Sequence, residues 1–257
     1  MTDLDAMLKI AHALADATGD VLRKYFRTSV HVERKADSSP VSEADRAAEA
    51  IMREILAREC PSHGIFGEEE ARTNPNAPLQ WVLDPIDGTK PFLAGYPTFA
   101  TLICLAESGV PILGIIDQPI LRERFVGAHG QKSTLNGKPI RTNTVKKLEE
   151  AVLATTSLDY FDAKADAAFA KLRAVARTSV YTGDAYAYAM LASGQISAVL
   201  DTGMKPYDFC ALVPVVQGAS GVITDWHGKP LTIDSPGDVL AAATPELHKI
   251  ILATLST

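Results

Sequence analysis

Asp84 and Asp87 are the residues whose types and spacing point most directly to chemistry. They lie in Trp81-Val82-Leu83-Asp84-Pro85-Ile86-Asp87-Gly88-Thr89-Lys90. The apolar run predicts a strand that delivers Asp84 at its end, Pro85 interrupts the ladder, and Asp87 follows three residues later. Both carboxylates can converge on one point. Two such anions about 5 Å apart repel by about 1 to 3 kcal/mol across effective dielectric constants of about 80 down to 20, so one takes a proton or a metal ion lies between them. Oxygen donors without His or Cys suit Mg²⁺, and the Ile86 carbonyl offers a further oxygen. Gly88 removes side-chain bulk, and the N–H groups of Gly88 and Thr89 at a predicted helix start form an anion cradle. A second acid run, Gly67-Glu68-Glu69-Glu70, follows Gly64-Ile65-Phe66. Glu68, nearest that strand end, is a candidate ligand, whereas Glu69 and Glu70 read as solvated surface. Asp208 follows Pro206 at another predicted helix start, where a carboxylate is an N-cap or a ligand; the local pattern alone favours the cap.

The elements that must position these groups follow from periodicity. Helical spacing runs from Leu4 to Phe26 and from Ser42 to Glu59, with Arg34 to Pro40 as the loop between them; Ser42 is placed to cap the second helix, with Asp45 in its first turn. Strands are predicted at Trp81–Leu83, Phe99–Ala106, Ile112–Ile116 and Glu123–Gly127, and Asn136-Gly137 predicts a hairpin turn. Beyond Lys146 the pattern alternates: helix Ala163–Ala176, strand Thr178–Tyr181, helix Ala185–Ser193, strand Ile196–Asp201, helix Asp208–Gln217, strand Gly221–Thr224 and helix Glu246–Leu255. The expectation is a mixed α/β chain forming one two-lobed unit over 1–257, with lobes near 1–145 and 146–257.

Composition narrows the function classes. Lys plus Arg is 25 and Asp plus Glu is 31, a net charge of −6, which disfavours nucleic acid and anionic membrane as partners. An acidic start and no apolar run of spanning length predict a cytoplasmic protein. The three cysteines, Cys60, Cys104 and Cys210, have no paired spacing, and the six histidines form no H-E-x-x-H or H-x-E motif, so zinc hydrolase and deaminase chemistry is not indicated. No G-x-S-x-G elbow is present either.

Gly67-Glu68-Glu69, Asp84-Pro85-Ile86-Asp87-Gly88-Thr89, Tyr207-Asp208 and the tail Gly218-Ala219-Ser220-Gly221-Val222 resemble, in order and spacing, the inositol monophosphatase superfamily of Mg²⁺-dependent, lithium-sensitive phosphatases. Ile116-Asp117-Gln118-Pro119, Gly183-Asp184-Ala185-Tyr186-Ala187-Tyr188 and Lys205-Pro206-Tyr207-Asp208-Phe209 are most similar to its histidinol-phosphate phosphatase branch, although Asp201 stands where that branch commonly has Glu. The resemblance implies a fructose-bisphosphatase-like layered sandwich, alternating helix and sheet layers, and a homodimer. It also implies two to three Mg²⁺ ions. Glu68, Asp84 and the Ile86 carbonyl would hold the first; Asp84, Asp87 and Asp208 a second; Glu68 would help place a third.

On the same resemblance, Glu68 and Thr89 orient a metal-activated water, Asp45 hydrogen-bonds the Thr89 hydroxyl, and Lys35 belongs to a mobile loop that closes over the site. The expected substrate is a small phosphorylated metabolite. Asp184 and Asp201 can pair with a cationic group, and Tyr181 can stack on an imidazole, so L-histidinol phosphate is favoured over myo-inositol monophosphate and nucleotide 3′-phosphates. A haloacid-dehalogenase phosphatase is disfavoured because its motif is D-x-D, whereas this one is D-x-x-D. A metal-binding protein without turnover is disfavoured because Glu68, Thr89 and Asp208 are all present.

Overall fold

The computed structural model describes residues 2–34 and 40–255, with the side chains of Arg34, Pro40 and Val41 left aside. In chain order the elements are α1 (Leu4–Tyr25), β1 (Val32–Arg34), β2 (Pro40–Ser42), α2 (Glu43–Glu59), β3 (Gly64–Gly67), β4 (Leu79–Asp87), α3 (Thr89–Ala94), β5 (Ala100–Glu107), β6 (Val110–Gln118), β7 (Glu123–Ala128), β8 (Thr134–Leu135) and β9 (Lys138–Pro139). They continue with β10 (Val152–Thr155), α4 (Ala163–Val175), β11 (Thr178–Tyr181), α5 (Asp184–Ala192), β12 (Ala198–Asp201), α6 (Pro206–Phe209), α7 (Leu212–Gly218), β13 (Val222–Asp225), β14 (Val239–Ala242) and α8 (Pro245–Leu255).

Two larger sheets organise them. One has seven strands in the order β3-β4-β5-β6-β7-β8-β9, and the other has five in the order β11-β10-β12-β14-β13. Period-two alternation in β4 decides the layering, because successive side chains leave opposite faces. Trp81 and Leu83 pack with Ala11 and Leu14 of α1 and Met52 and Leu56 of α2. Val82 points the other way, into a core shared with Tyr188 of α5, Val215 of α7 and Val199 of β12. Leu153, Leu200 and Leu240 of the smaller sheet face Leu172 of α4 and Ile251 of α8. The layers therefore run helix, sheet, helix, sheet, helix, as the resemblance implies. Burial on both faces explains why β4 and β5 read as nearly continuous apolar runs.

Several predicted boundaries change. The strand that carries Asp84 does not end there: β4 runs on to Asp87, and its pairing with β5 slips between Asp84 and Asp87 as a bulge. The Pro85 carbonyl at that bulge accepts the Thr101 hydroxyl at 2.8 Å, so this buried carbonyl is satisfied although Pro85 itself has no N–H to give the ladder. The predicted helix Asp208–Gln217 is two helices, α6 and α7. Strands β1, β2, β10 and β14 fall outside the predicted strands; of the predicted loop Arg34 to Pro40, residues 35–39 lie outside the described residues, and its two ends belong to β1 and β2. Ser42 and Asp45 do form a reciprocal capping box at the start of α2, and Asn136 (φ 49°) and Gly137 (φ 77°) make the hairpin turn between β8 and β9.

Candidate active site

Three carboxylates from separate stretches of chain meet where the two sheets approach each other. One oxygen each from Asp84, Asp87 and Asp208 all lie within 4.8 Å of one another. The bulge in β4 brings the first two together. Asp84 Oδ1 accepts the Ile86 N–H at 2.9 Å, which folds its carboxylate back over the bulge. Asp87 Oδ2 accepts the Ala185 N–H at 2.5 Å and so caps α5 from across the interface. Asp208 Oδ2 accepts the Lys205 N–H at 2.6 Å; Lys205, not Asp208, is the N-cap of α6, so the N-cap reading gives way to an acid inside the first turn that reaches back to the cap and belongs to the cluster as well.

These acids line a cavity of about 410 Å³ together with Glu68, Ile86, Gly88, Thr89, Asp184 and Asp201. Gly88 has φ +87°, and a Cβ there would meet Phe99 Cα and Asp184 Cγ at 3.2 Å. Only glycine takes that turn without strain. Thr89, the first residue of α3, donates its hydroxyl to the Ile86 carbonyl at 3.3 Å.

The electrostatics of the cavity call for positive charge. Burial, followed by the charges of Glu68, Asp87 and Asp208, holds the Asp84 carboxyl well above the usual carboxylate range. Asp87 is raised by burial and by Asp184 and Asp208. Burial pushes Asp208 up to about 7, with the Lys205 N–H pulling it down and Glu68 pushing it up. Each acid opposes ionisation of its neighbours, and a hard divalent cation would allow all of them to ionise.

The sequence-predicted site residues separate into several groups. Glu68, Asp84, Ile86, Asp87, Gly88, Thr89, Asp184, Asp201 and Asp208 all line the cavity. Asp45 lies buried behind it, close enough to Glu68 that Glu68's charge adds to the upward shift that burial imposes. The expected Asp45 to Thr89 bond is not formed. Asp45 Oδ2 accepts the Ser42 N–H at 2.8 Å and the Ser42 hydroxyl at 2.5 Å, and Oδ1 is buried with no hydrogen-bond partner among the described residues. Lys35 lies outside the described residues.

Tyr181 is a correction. Its ring packs against Phe169, its hydroxyl accepts from Arg173 Nη1 at 3.4 Å, and it stands on edge strand β11 facing α4, away from the cavity. Asp184 is not the helix cap that an Asp after Gly183 commonly is. Among the described residues no donor is hydrogen-bonded to its carboxylate, which burial and Asp201 push up to about 6 against the pull of Lys90. Asp201 differs: Oδ1 accepts the Thr156 N–H at 2.7 Å and the Thr155 hydroxyl at 3.1 Å, and Oδ2 accepts the Tyr188 hydroxyl at 2.9 Å. Its oxygens hold β10 and α5 in place. Sequence reasoning missed Lys90 and Tyr160 at the cavity wall, where Lys90 Nζ donates to the Tyr160 hydroxyl at 3.0 Å. It also missed Glu49, a carboxylate on the buried face of α2.

The model of the inositol monophosphatase family matches residues 3–257. The chain belongs to that family. As a member it is a phosphoric monoester hydrolase, and the family's metal dependence agrees with the acidic cluster. It is 46% identical over 263 residues to the bifunctional phosphatase IMPL2, chloroplastic, of Arabidopsis thaliana, covering 99% of this chain and 76% of the relative. It is 33% identical over 250 residues to the histidinol-phosphatase of Chlorobaculum parvum, covering 96% of each. A solved inositol monophosphatase from Zymomonas mobilis superposes with a TM-score of 0.92 at 43% identity over the whole of both chains. Among the described residues of this family member no helix is long and apolar enough to cross a membrane.

Proposed function

We propose that this phosphatase hydrolyses L-histidinol phosphate with Mg²⁺ as its cofactor. The observation that carries the substrate reading is Asp184, a cavity carboxylate with no donor among the described residues, which suits an ammonium or imidazolium on the leaving alcohol. The name of the Chlorobaculum parvum relative supports the same choice. Inositol phosphate has no cationic group to offer that acid. The likeness to the Zymomonas mobilis enzyme keeps myo-inositol monophosphate as the second reading, with nucleotide 3′-phosphates behind it.

Glu68, Asp84, Asp87, Asp208 and the Ile86 carbonyl are the oxygen donors that would hold two to three Mg²⁺ ions. When bound, the metal neutralises the acids and activates water for attack on phosphorus. Gly88 and Thr89 receive the phosphoryl oxygens through their N–H groups. Glu68 and the Thr89 hydroxyl orient the attacking water, and Oδ1 of Asp45, unpartnered among the described residues, is the acceptor available behind them. No residue of the chain is phosphorylated in this scheme, so hydrolysis in ¹⁸O-water labels the released phosphate directly. Label appearing first in an aspartate would overturn that step.

We read 1–257 as one catalytic unit of two lobes, about 1–145 and 146–257, since the core around Val82 is shared by both sheets. A homodimer accords with exposed Val175, Val180 and Tyr181 at and beside edge strand β11, and light scattering at micromolar concentration tests it. The deciding experiment compares kcat/KM on L-histidinol phosphate, myo-inositol monophosphate and a nucleotide 3′-phosphate at fixed Mg²⁺. Preference for histidinol phosphate is expected; preference for either of the others sinks the substrate assignment and leaves the phosphatase intact.

A further inference from the structure

The acid loop after β3 is held from behind by a carboxylate that no sequence motif marks. Glu49 is fully buried on α2. Its Oε2 accepts the Glu69 N–H at 2.8 Å, and its Oε1 accepts the Glu70 N–H at 3.1 Å and Arg53 Nε at 2.8 Å. Arg53 completes the clamp, donating through Nη2 to the Glu70 carbonyl at 3.0 Å and through Nη1 to the Thr73 hydroxyl at 3.2 Å. The Glu68 N–H donates to the Leu83 carbonyl at 3.2 Å, one residue before Asp84. The chain on both sides of the Glu68 side chain is thus fixed, by β4 in front and by Glu49 behind. Gly67 leaves the space: a Cβ there would lie 2.1 Å from Glu49 Oε1.

A buried carboxylate is costly unless fully paired, and this one spends its bonds on backbone N–H groups of the loop that carries Glu68. We propose that Glu49 is a positioning residue for divalent-cation binding, acting through the backbone of the Glu68–Glu70 loop to aim the Glu68 carboxylate. The inference rests on the reading of Glu68 as a metal ligand. Partners that orient a ligand commonly contribute tenfold or more in metal affinity.

Mn²⁺ serves as the probe, with free ion counted by electron paramagnetic resonance on the full chain. Glu49→Gln keeps the shape but turns an NH₂ toward a backbone N–H, and it should weaken Mn²⁺ binding about tenfold or more in folded protein. Gly67→Ala should weaken it in the same direction. In a Glu68→Gln background, Glu49→Gln should add no more than about a twofold further loss, since its effect runs through Glu68. Full multiplication of the two losses, or wild-type affinity in folded Glu49→Gln, overturns the proposal. If Glu68→Gln itself binds Mn²⁺ as wild type does, the ligand reading fails first and the proposal with it. Should Glu49→Gln not fold, Arg53→Lys keeps the charge but loses the fork. It should weaken binding about threefold, and unchanged affinity there overturns the proposal equally.

Discussion

The two walls of the cavity are built differently. Asp84 and Asp87 arrive on β4, a nine-residue strand buried along nearly its whole length and paired on both edges. Asp184 arrives on a residue at φ 42°, and Tyr160 on a single 3-10 turn, Leu158–Tyr160, with its ring about half exposed. Groups on the first wall cannot move without disturbing a core, whereas groups on the second depend on local turns. Reaction chemistry common to many substrates belongs on the first kind of support, and discrimination between leaving groups on the second. Asp201 crosses that division: it faces the cavity yet serves the frame.

Substitution on the rigid wall should have the largest effect. Asp84→Asn or Asp208→Asn should lower kcat by about a hundredfold or more, since each removes a charged donor from the cluster; steady-state rates across a Mg²⁺ titration would check this. Near-normal turnover at any Mg²⁺ concentration would break the comparison at its strongest point. On the other wall, Asp184→Asn should cut kcat/KM for histidinol phosphate about tenfold to a hundredfold, the size of one hydrogen bond to a charged group, and change that for inositol phosphate less than about threefold. Asp201→Asn should act equally on both substrates and lower Tm instead, because its NH₂ takes the place of one of the two acceptor oxygens that tie β10 to α5, at about 1 to 3 kcal/mol.

The pH dependence of stability follows from the raised carboxyls. Asp184 and Asp201 are held up to about 6 and Asp208 up to about 7, mainly by burial. The folded state therefore binds more protons than the unfolded chain between the ordinary carboxylate range near 4 and about 7, and stability falls as pH rises through that window. Chelated protein should lose several degrees of Tm from pH 4.5 to 7.5 by scanning calorimetry. Mg²⁺ should restore most of the loss at the upper end and little at the lower. The smallest effect belongs to Tyr181→Phe, which should alter kcat/KM by less than about twofold; a larger change would return Tyr181 to the cavity wall.

What the sequence disclosed depended on whether a residue's local pattern matched its role. The apolar run into Asp84-Pro85-Ile86-Asp87-Gly88-Thr89 marked the rigid wall because the sheet that holds it is local to the motif. Strand β14 is apolar throughout and β10 is apolar up to its last residue, Thr155; both are buried or nearly so, and without alternation such short runs do not separate strand from buried helix. The break between α6 and α7 is marked by Pro214, which has no N–H for the Cys210 carbonyl four residues back, although Cys210 and Ala211 both keep helical angles and so hide the break in the backbone course. Tyr181 was misplaced because a strand's alternation says which residues share a face, not which layer covers that face. Glu49 did leave a trace. Ala44, Asp45, Ala48, Glu49, Met52 and Leu56 form one buried stripe, and two acids four residues apart on such a stripe need donors inside the protein.

Asp208 has a double duty, and its consequence is thermodynamic linkage. Helix α6 is four residues long, far below the length at which a helix holds itself together, and the Asp208 oxygen on the Lys205 N–H closes its first turn. An ion that draws on the same carboxylate competes with that closure for its electron density. Filling the site should therefore be felt at the Lys205 amide, whose chemical shift and exchange rate would report cation loading with no substrate present and no turnover required.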